Sequence, residues 1–124
     1  PNLLASRRAA NEASGISTLR TIGTSESTYS STIGFGAYGT LAQLSTAQLV
    51  DTSISNTTAA APKSGYFYGI QNAGAGGYNS AAAPATSSTG TRNFASDEAG
   101  VIYANTGSAG ALDYTTTGQK PIGN

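Results

Sequence analysis

The first third of this chain reads as one helix, and that helix is too long for the domain it opens. Apolar or small residues recur at helical spacing from Pro1 to about Ile33: Leu3/Leu4, Ala9/Ala10, Ala13, Ile16, Leu19, Ile22, Tyr29 and Ile33. If helical throughout, residues 1–33 would span roughly 50 Å at about 1.5 Å per residue. A compact domain of about 100 residues has a radius of gyration near ~13 Å, so one end of the helix is expected to project. The projecting end, Pro1-Asn2-Leu3-Leu4-Ala5, is its most apolar turn and calls for a partner. Pro1 suits a first helical position, where its missing N–H would be unpaired anyway, and equally suits a kink in a helix that began upstream. Gly15 and Gly23 weaken the helix, which implies either close approach of another backbone or tolerated flexibility. Glu12 lies four residues after Arg8 and is read as a surface pair.

Beyond Ile33 the periodicity stops at Gly34-Phe35-Gly36-Ala37-Tyr38-Gly39, a glycine-punctuated loop whose aromatics are expected to pin it to the rest of the domain. Thr40 or Ser45 can cap a short second helical turn carrying Leu41, Leu44, Leu49 and Val50. Ser53 to Pro62 is polar and reads as a connection. Tyr66-Phe67-Tyr68-Gly69-Ile70 is the strongest strand signal, dense in aromatic and β-branched residues. Further strands are expected near Tyr78, near Arg92-Asn93-Phe94-Ala95, and at Val101-Ile102-Tyr103-Ala104. Gly74 to Gly77, Ala81 to Gly90 and the tail from Asn105 are low in complexity and read as surface loops or arms. The expected fold is therefore α+β: a helix over 1–33 packed on a small antiparallel β-sheet head over 34–124. At 124 residues, one domain is the expectation.

The composition narrows the chemistry. Charged residues make up 10% of the chain and cancel to zero net charge, and no basic cluster extends beyond Arg7-Arg8, so nucleic acid is not expected as a main ligand. Without His the usual catalytic triad cannot form, and Ser-Lys chemistry would rest on Lys63 or Lys120, each beside a proline in a polar stretch. An enzyme is not expected, nor is a cofactor. With neither His nor Cys, zinc has no suitable ligands. Asp97, Glu98 and Asp113 offer the only oxygen set for calcium, and the plainer reading of Asp97-Glu98 is an exposed turn. The seven Tyr and three Phe are read as core filling with hydroxyls at the rim rather than as a sugar-stacking platform. Asn56-Thr57-Thr58 fits a glycosylation acceptor, a pattern common by chance. Arg7-Arg8 has the look of a twin-arginine export signal, but no apolar region follows it. A chain that opens on Pro1 and lacks Met is expected to be the processed or trimmed remainder of a longer product.

At Pro1-Asn2-Leu3-Leu4-Ala5-Ser6-Arg7-Arg8-Ala9-Ala10-Asn11-Glu12-Ala13, running on to Leu19-Arg20-Thr21-Ile22, the chain resembles a type IV pilin or type II secretion pseudopilin, starting just past that family's apolar N-terminal segment. In the family a short basic leader is cleaved before an N-methylated Phe, and a membrane helix of roughly 20 residues follows. Pro1 resembles the proline near the end of that helix. Gly90-Thr91-Arg92-Asn93-Phe94-Ala95-Ser96-Asp97-Glu98-Ala99-Gly100-Val101-Ile102-Tyr103 resembles the last strands of small pseudopilin-like heads. The chain departs from the family in two ways: the membrane segment with its assembly glutamate is not in this sequence, and neither is the cysteine pair that staples many pilin C-terminal loops. The second departure favours major pseudopilins or short pilins.

The resemblance implies a structural subunit of a bacterial extracellular or cell-surface filament, held in the inner membrane before assembly through the segment not in this sequence. Its partners would be copies of itself and the pilus or secretion assembly machinery. N-terminal helices would bundle in the filament core, with Pro1 at their start and Leu3, Leu4, Ala9 and Ala10 among neighbouring helices. Ala13, Ile16, Leu19, Ile22 and Tyr29 would divide between that core and the head's own sheet. Pilus and secretion pseudopilus stay open, because the role depends on the partner machine rather than the fold. The alternative from a different class is a soluble carbohydrate- or surface-binding module with a helical stalk.

Overall fold

A computed structural model describes residues 2–105 and 107–122. The helical stripe forms one helix, α1 (Asn2–Thr32). It ends where the N–H groups of Ile33 and Gly34 both donate to the Tyr29 carbonyl at 2.9 and 2.8 Å, and that of Gly36 donates to Ser30 at 2.8 Å. These bonds satisfy carbonyls that a helix end would otherwise orphan. Two short helices follow, α2 (Leu41–Thr46) and α3 (Thr52–Ser55). Thr40 caps α2 in a reciprocal box with Gln43, and the Asp51 carboxylate caps α3 through the Ser53 N–H. The expected connection over 53–62 thus begins as a helical turn, which buries Ile54 in the core with Leu19 and Ile22 of α1.

The strands form an antiparallel sheet in simple chain order: β1 (Tyr66–Gly74), β2 (Gly77–Pro84), β3 (Asn93–Asp97), β4 (Tyr103–Asn105) and β5 (Lys120–Pro121). The result is an α+β arrangement, one long N-terminal helix packed on a five-stranded antiparallel sheet. Two segments read as loops contribute strands. Ala81–Pro84 lies inside β2, between β1 and β3, and Ala81, Ala82 and Ala83 are all fully buried. Alanine is a poor strand former in isolation, but here both faces of the sheet are covered and only a small side chain fits. In the tail, Lys120–Pro121 pairs with β4 at the sheet edge, where proline is tolerated.

The inner face of the sheet carries Tyr66, Tyr68, Ala82 and Phe94, which pack with Leu19 and Ile22 of α1, Ile54 of α3, and Ile102. Gly15 is a point of close approach: a Cβ there would lie 3.3 Å from the Tyr66 ring. Its role is close packing, against a side chain rather than another backbone. At Gly23 the nearest neighbour, the Tyr78 hydroxyl, is at an ordinary 3.5 Å.

The outer face presents the register partners Gly69, Ala81 and Ala95, a floor of small residues on which the tail lies. Asn93 and Asn105, paired across β3 and β4, fasten the tail by their side-chain amides. Asn93 Nδ2 donates to the Ser108 and Ala111 carbonyls at 3.3 and 2.9 Å, and Asn105 Nδ2 to those of Asp113 and Thr115 at 3.2 and 3.4 Å. A Cβ at Gly69 would collide with the Tyr114 hydroxyl and a Leu112 methyl. Gly69→Ala is therefore expected to lift the tail, cost about 1–3 kcal/mol, and open Tyr114 to chymotrypsin. An unchanged cleavage rate and melting curve would mean that the tail does not rest on β1.

Candidate assembly surface

A helix on the surface of a small domain normally buries an apolar face and shows a polar one, but the two faces of α1 barely differ in polarity. The buried stripe includes Glu12, Thr18, Ser25 and Glu26 as well as Leu19 and Ile22. Its polar members are held by the head. Ser25 donates to the Leu49 carbonyl at 2.8 Å, and the Gly39 N–H donates to Glu26 Oε1 at 2.7 Å. Glu12 does not pair with Arg8. Its Oε2 accepts from the Thr91 N–H, the Thr91 hydroxyl and the Arg92 N–H at 3.0, 2.7 and 3.2 Å, while Oε1 takes Arg92 Nε at 3.1 Å. Arg8 instead reaches the Ser87 carbonyl at 3.0 Å, and Asn11 that of Thr89 at 3.0 Å.

The two buried glutamates titrate in opposite directions. For Glu12, burial alone would raise the pKa, but the hydrogen bonds from Thr91 and Arg92 and the guanidinium charge outweigh it and hold the carboxyl below its ordinary value. For Glu26, burial dominates over the single Gly39 hydrogen bond and pushes the pKa up to about 7. Its Oε2 is buried with no partner.

The head's grip on α1 starts at Arg8, so the turns before it stand clear. Leu3 is 84% exposed and Leu4 41%, and Ala5, Arg7, Ala9, Ala10 and Ala13 are exposed with them. Of the remaining residues the sequence points to, Ile16 is half-buried at the core's edge, Leu19 and Ile22 are inside it, and Tyr29 is half-buried. Leu19 and Ile22 thus belong to the head's own core, out of reach of a neighbouring chain. Pro1 lies outside the described residues. Further along, the outward face is a run of hydroxyls turned back on their own helix. Thr21, Thr24, Thr28, Ser31 and Thr32 each donate to the carbonyl four residues earlier, at 2.7–3.2 Å. These hydroxyls spend their donors within the helix, and apart from exposed Arg20 the side chains of this stretch are small.

At the far end of α1 the loop aromatics separate. Tyr38 packs on Tyr78 with ring centroids 5.1 Å apart and pins the loop, as expected. Phe35 does not: it is 93% exposed, with Ile33 beside it 49% exposed. Ile33, with Tyr29, Ala42, Gln43, Thr46 and Ala47, lines a groove of about 340 Å³ between the last turn of α1 and α2.

The acidic residues considered for calcium are not brought together. Asp97 accepts from the Ala99 N–H and Asp113 from the Thr115 N–H, each within its own turn. Among the described residues no group of three or more His, Cys, Asp or Glu is placed to hold a metal, and no helix is long and apolar enough to cross a membrane. No family model matches this chain, and no curated protein matches it.

Proposed function

We propose that this chain is the structural subunit of a helical extracellular filament, a bacterial type IV pilus or type II secretion pseudopilus, whose partners are its own copies and the assembly machinery. The observation that carries the reading is the N-terminal end of α1. Leu3 and Leu4 are exposed on turns that precede the head's first hold at Arg8, so the most apolar end of the helix has no cover within the head. A helix end of that kind is completed by neighbouring helices, and the small, self-bonded outer face of α1 allows them to pack closely. In this reading the inner membrane is reached through a segment upstream of Pro1, and the Ser/Thr-rich head forms the outer shell.

The test is electron microscopy of filaments sheared from cells, with terminal sequencing of the subunit. The expected result is filaments containing this chain, with roughly 20 apolar residues before Pro1. Leu4→Asp leaves the sheet packing untouched, because Leu4 lies outside the core, and is expected to abolish filaments while the head keeps its melting curve. Filaments that persist in the Leu4→Asp cells would remove the helix bundle from the account. A native chain that begins at Pro1 and stays monomeric would turn the reading to a binding module with a helical stalk.

A further inference from the structure

Three of the chain's six Lys and Arg side chains, Arg20, Arg92 and Lys120, line one groove of about 510 Å³. They come from three separate parts of the chain, α1, the approach to β3, and β5, so the cluster exists only in the folded head. The same groove has an apolar wall, made by Ile16 of α1 and by Pro121 and Ile122 at the β5 edge, and among the described residues no acidic side chain lines it. Arg92 is held in place before any ligand arrives. Its Nε donates to Glu12 at 3.1 Å, and its guanidinium carbon lies 5.1 Å from the centre of the Phe94 ring. The two terminal nitrogens of that guanidinium have no partner among the described residues, and neither Arg20 nor Lys120 forms an ion pair among them.

We infer that this groove binds a phosphomonoester carried on an apolar body, either free or as a lipid headgroup. The charge selects the group. Glu12 offsets one of the three cations, which leaves an excess of roughly two, the charge of a phosphomonoester near neutral pH. A single carboxylate would be satisfied by one arginine fork and leave the other cations unmatched, whereas the terminal oxygens of a phosphate can take an arginine fork and a lysine together. The apolar wall gives the rest of the ligand a surface on which leaving water is favourable. Both sides of the groove are fixed by the head. Arg20 follows the buried Leu19 on α1, and β5 is paired to β4 and held by the Ile122 N–H, which donates to the Ile102 carbonyl at 3.0 Å. The inference does not rest on the filament reading, since every residue it uses belongs to the head or to the part of α1 packed on it.

The test is a titration of the 124-residue chain with inorganic phosphate and with phenyl phosphate at physiological salt, followed by the backbone amide shifts of Ile16, Arg20 and Ile122. Saturable binding of phenyl phosphate is expected, about fivefold tighter than inorganic phosphate because of the apolar wall. Arg20→Gln and Lys120→Gln change exposed side chains outside the core, so both variants should keep the parent's melting curve, and each is expected to weaken phenyl phosphate binding about tenfold. Phosphatidylcholine vesicles containing phosphatidic acid separate the two sources. Pelleting of the chain with them, lost in both variants, supports the site with a lipid as its ligand, whereas phenyl phosphate binding without pelleting supports a soluble ester. No saturable binding of either phenyl phosphate or the vesicles overturns the inference, and so does binding of equal strength in the parent and both variants. Should one glutamine variant fail to fold, the other decides.

Discussion

Glu12→Ala is expected to destabilise the head by about 2–4 kcal/mol, read as a lower denaturant midpoint at pH 7 with little change in slope. The carboxylate closes four hydrogen bonds to Thr91 and Arg92, and these tie α1 to the connection that leads into β3. Bonds to a charged acceptor are each worth more than neutral ones, but they act as a unit and do not add. Water also recovers part of the loss, because the Arg92 side chain is 47% exposed against 11% for Glu12. That exposure keeps the loss below the cost of stranding a fully buried charge. Glu12→Gln retains an acceptor but places an amide beside the guanidinium, so an intermediate loss of about 1–2 kcal/mol is expected. The pH dependence follows from the depressed folded pKa. The stabilisation is present above the ordinary value of 4.5 and disappears as pH falls through the folded value, and both substitutions should remove that acid-side loss. Equal stability of the alanine variant and the parent at pH 7 would show that the clamp contributes nothing net.

The parts of this fold that were legible in the sequence are those with a local pattern. The stripe from Leu3 to Ile33 announced α1, and the aromatic run Tyr66–Ile70 announced β1. β2 was legible only at Tyr78, because Ala81–Pro84 owes its strand to cover on both faces, a condition set by residues far away in the chain. The tail was illegible for the same reason: Asn93 and Asn105 hold it through amides that bridge 8 to 18 positions, and neither asparagine stands out in sequence. On α1, Glu12 reads as a surface charge paired with Arg8, and Glu26 draws no reading at all. The available signal was their spacing, since Glu12, Leu19 and Glu26 recur every seven residues and so share a stripe. Phe35 misled in the other direction, since an aromatic in a glycine-rich loop ordinarily turns inward. For the candidate surface, the apolar N-terminal turn was visible from composition, whereas the groove at the opposite end depends on how α2 folds back beside Tyr29 and Ile33.

Glu26→Gln is expected to flatten the pH dependence that the parent shows on the other side. Glu26 is fully buried, Oε1 holds the Gly39 N–H, Oε2 has no partner, and its folded pKa sits at about 7 against an ordinary 4.5. Below pH 4.5 the carboxyl is neutral folded and unfolded and contributes no slope. Between 4.5 and about 7 the unfolded chain ionises while the folded chain keeps its proton, so stability falls as pH rises, by about 3 kcal/mol in all, and levels off above the folded pKa. Because Glu12 acts in the reverse sense below its own ordinary value, the parent should be most stable near the ordinary glutamate pKa and lose ground on either side. Glutamine keeps the acceptor for Gly39 but sets an amide N–H where Oε2 had no partner, a constant cost of about 1 kcal/mol. The two stability curves should therefore cross, with the parent ahead at pH 4.5 and the variant ahead at pH 8. Parallel curves across that range would mean that Glu26 is ionised in the folded head at neutral pH, and that the Gly39 bond, rather than burial, governs it.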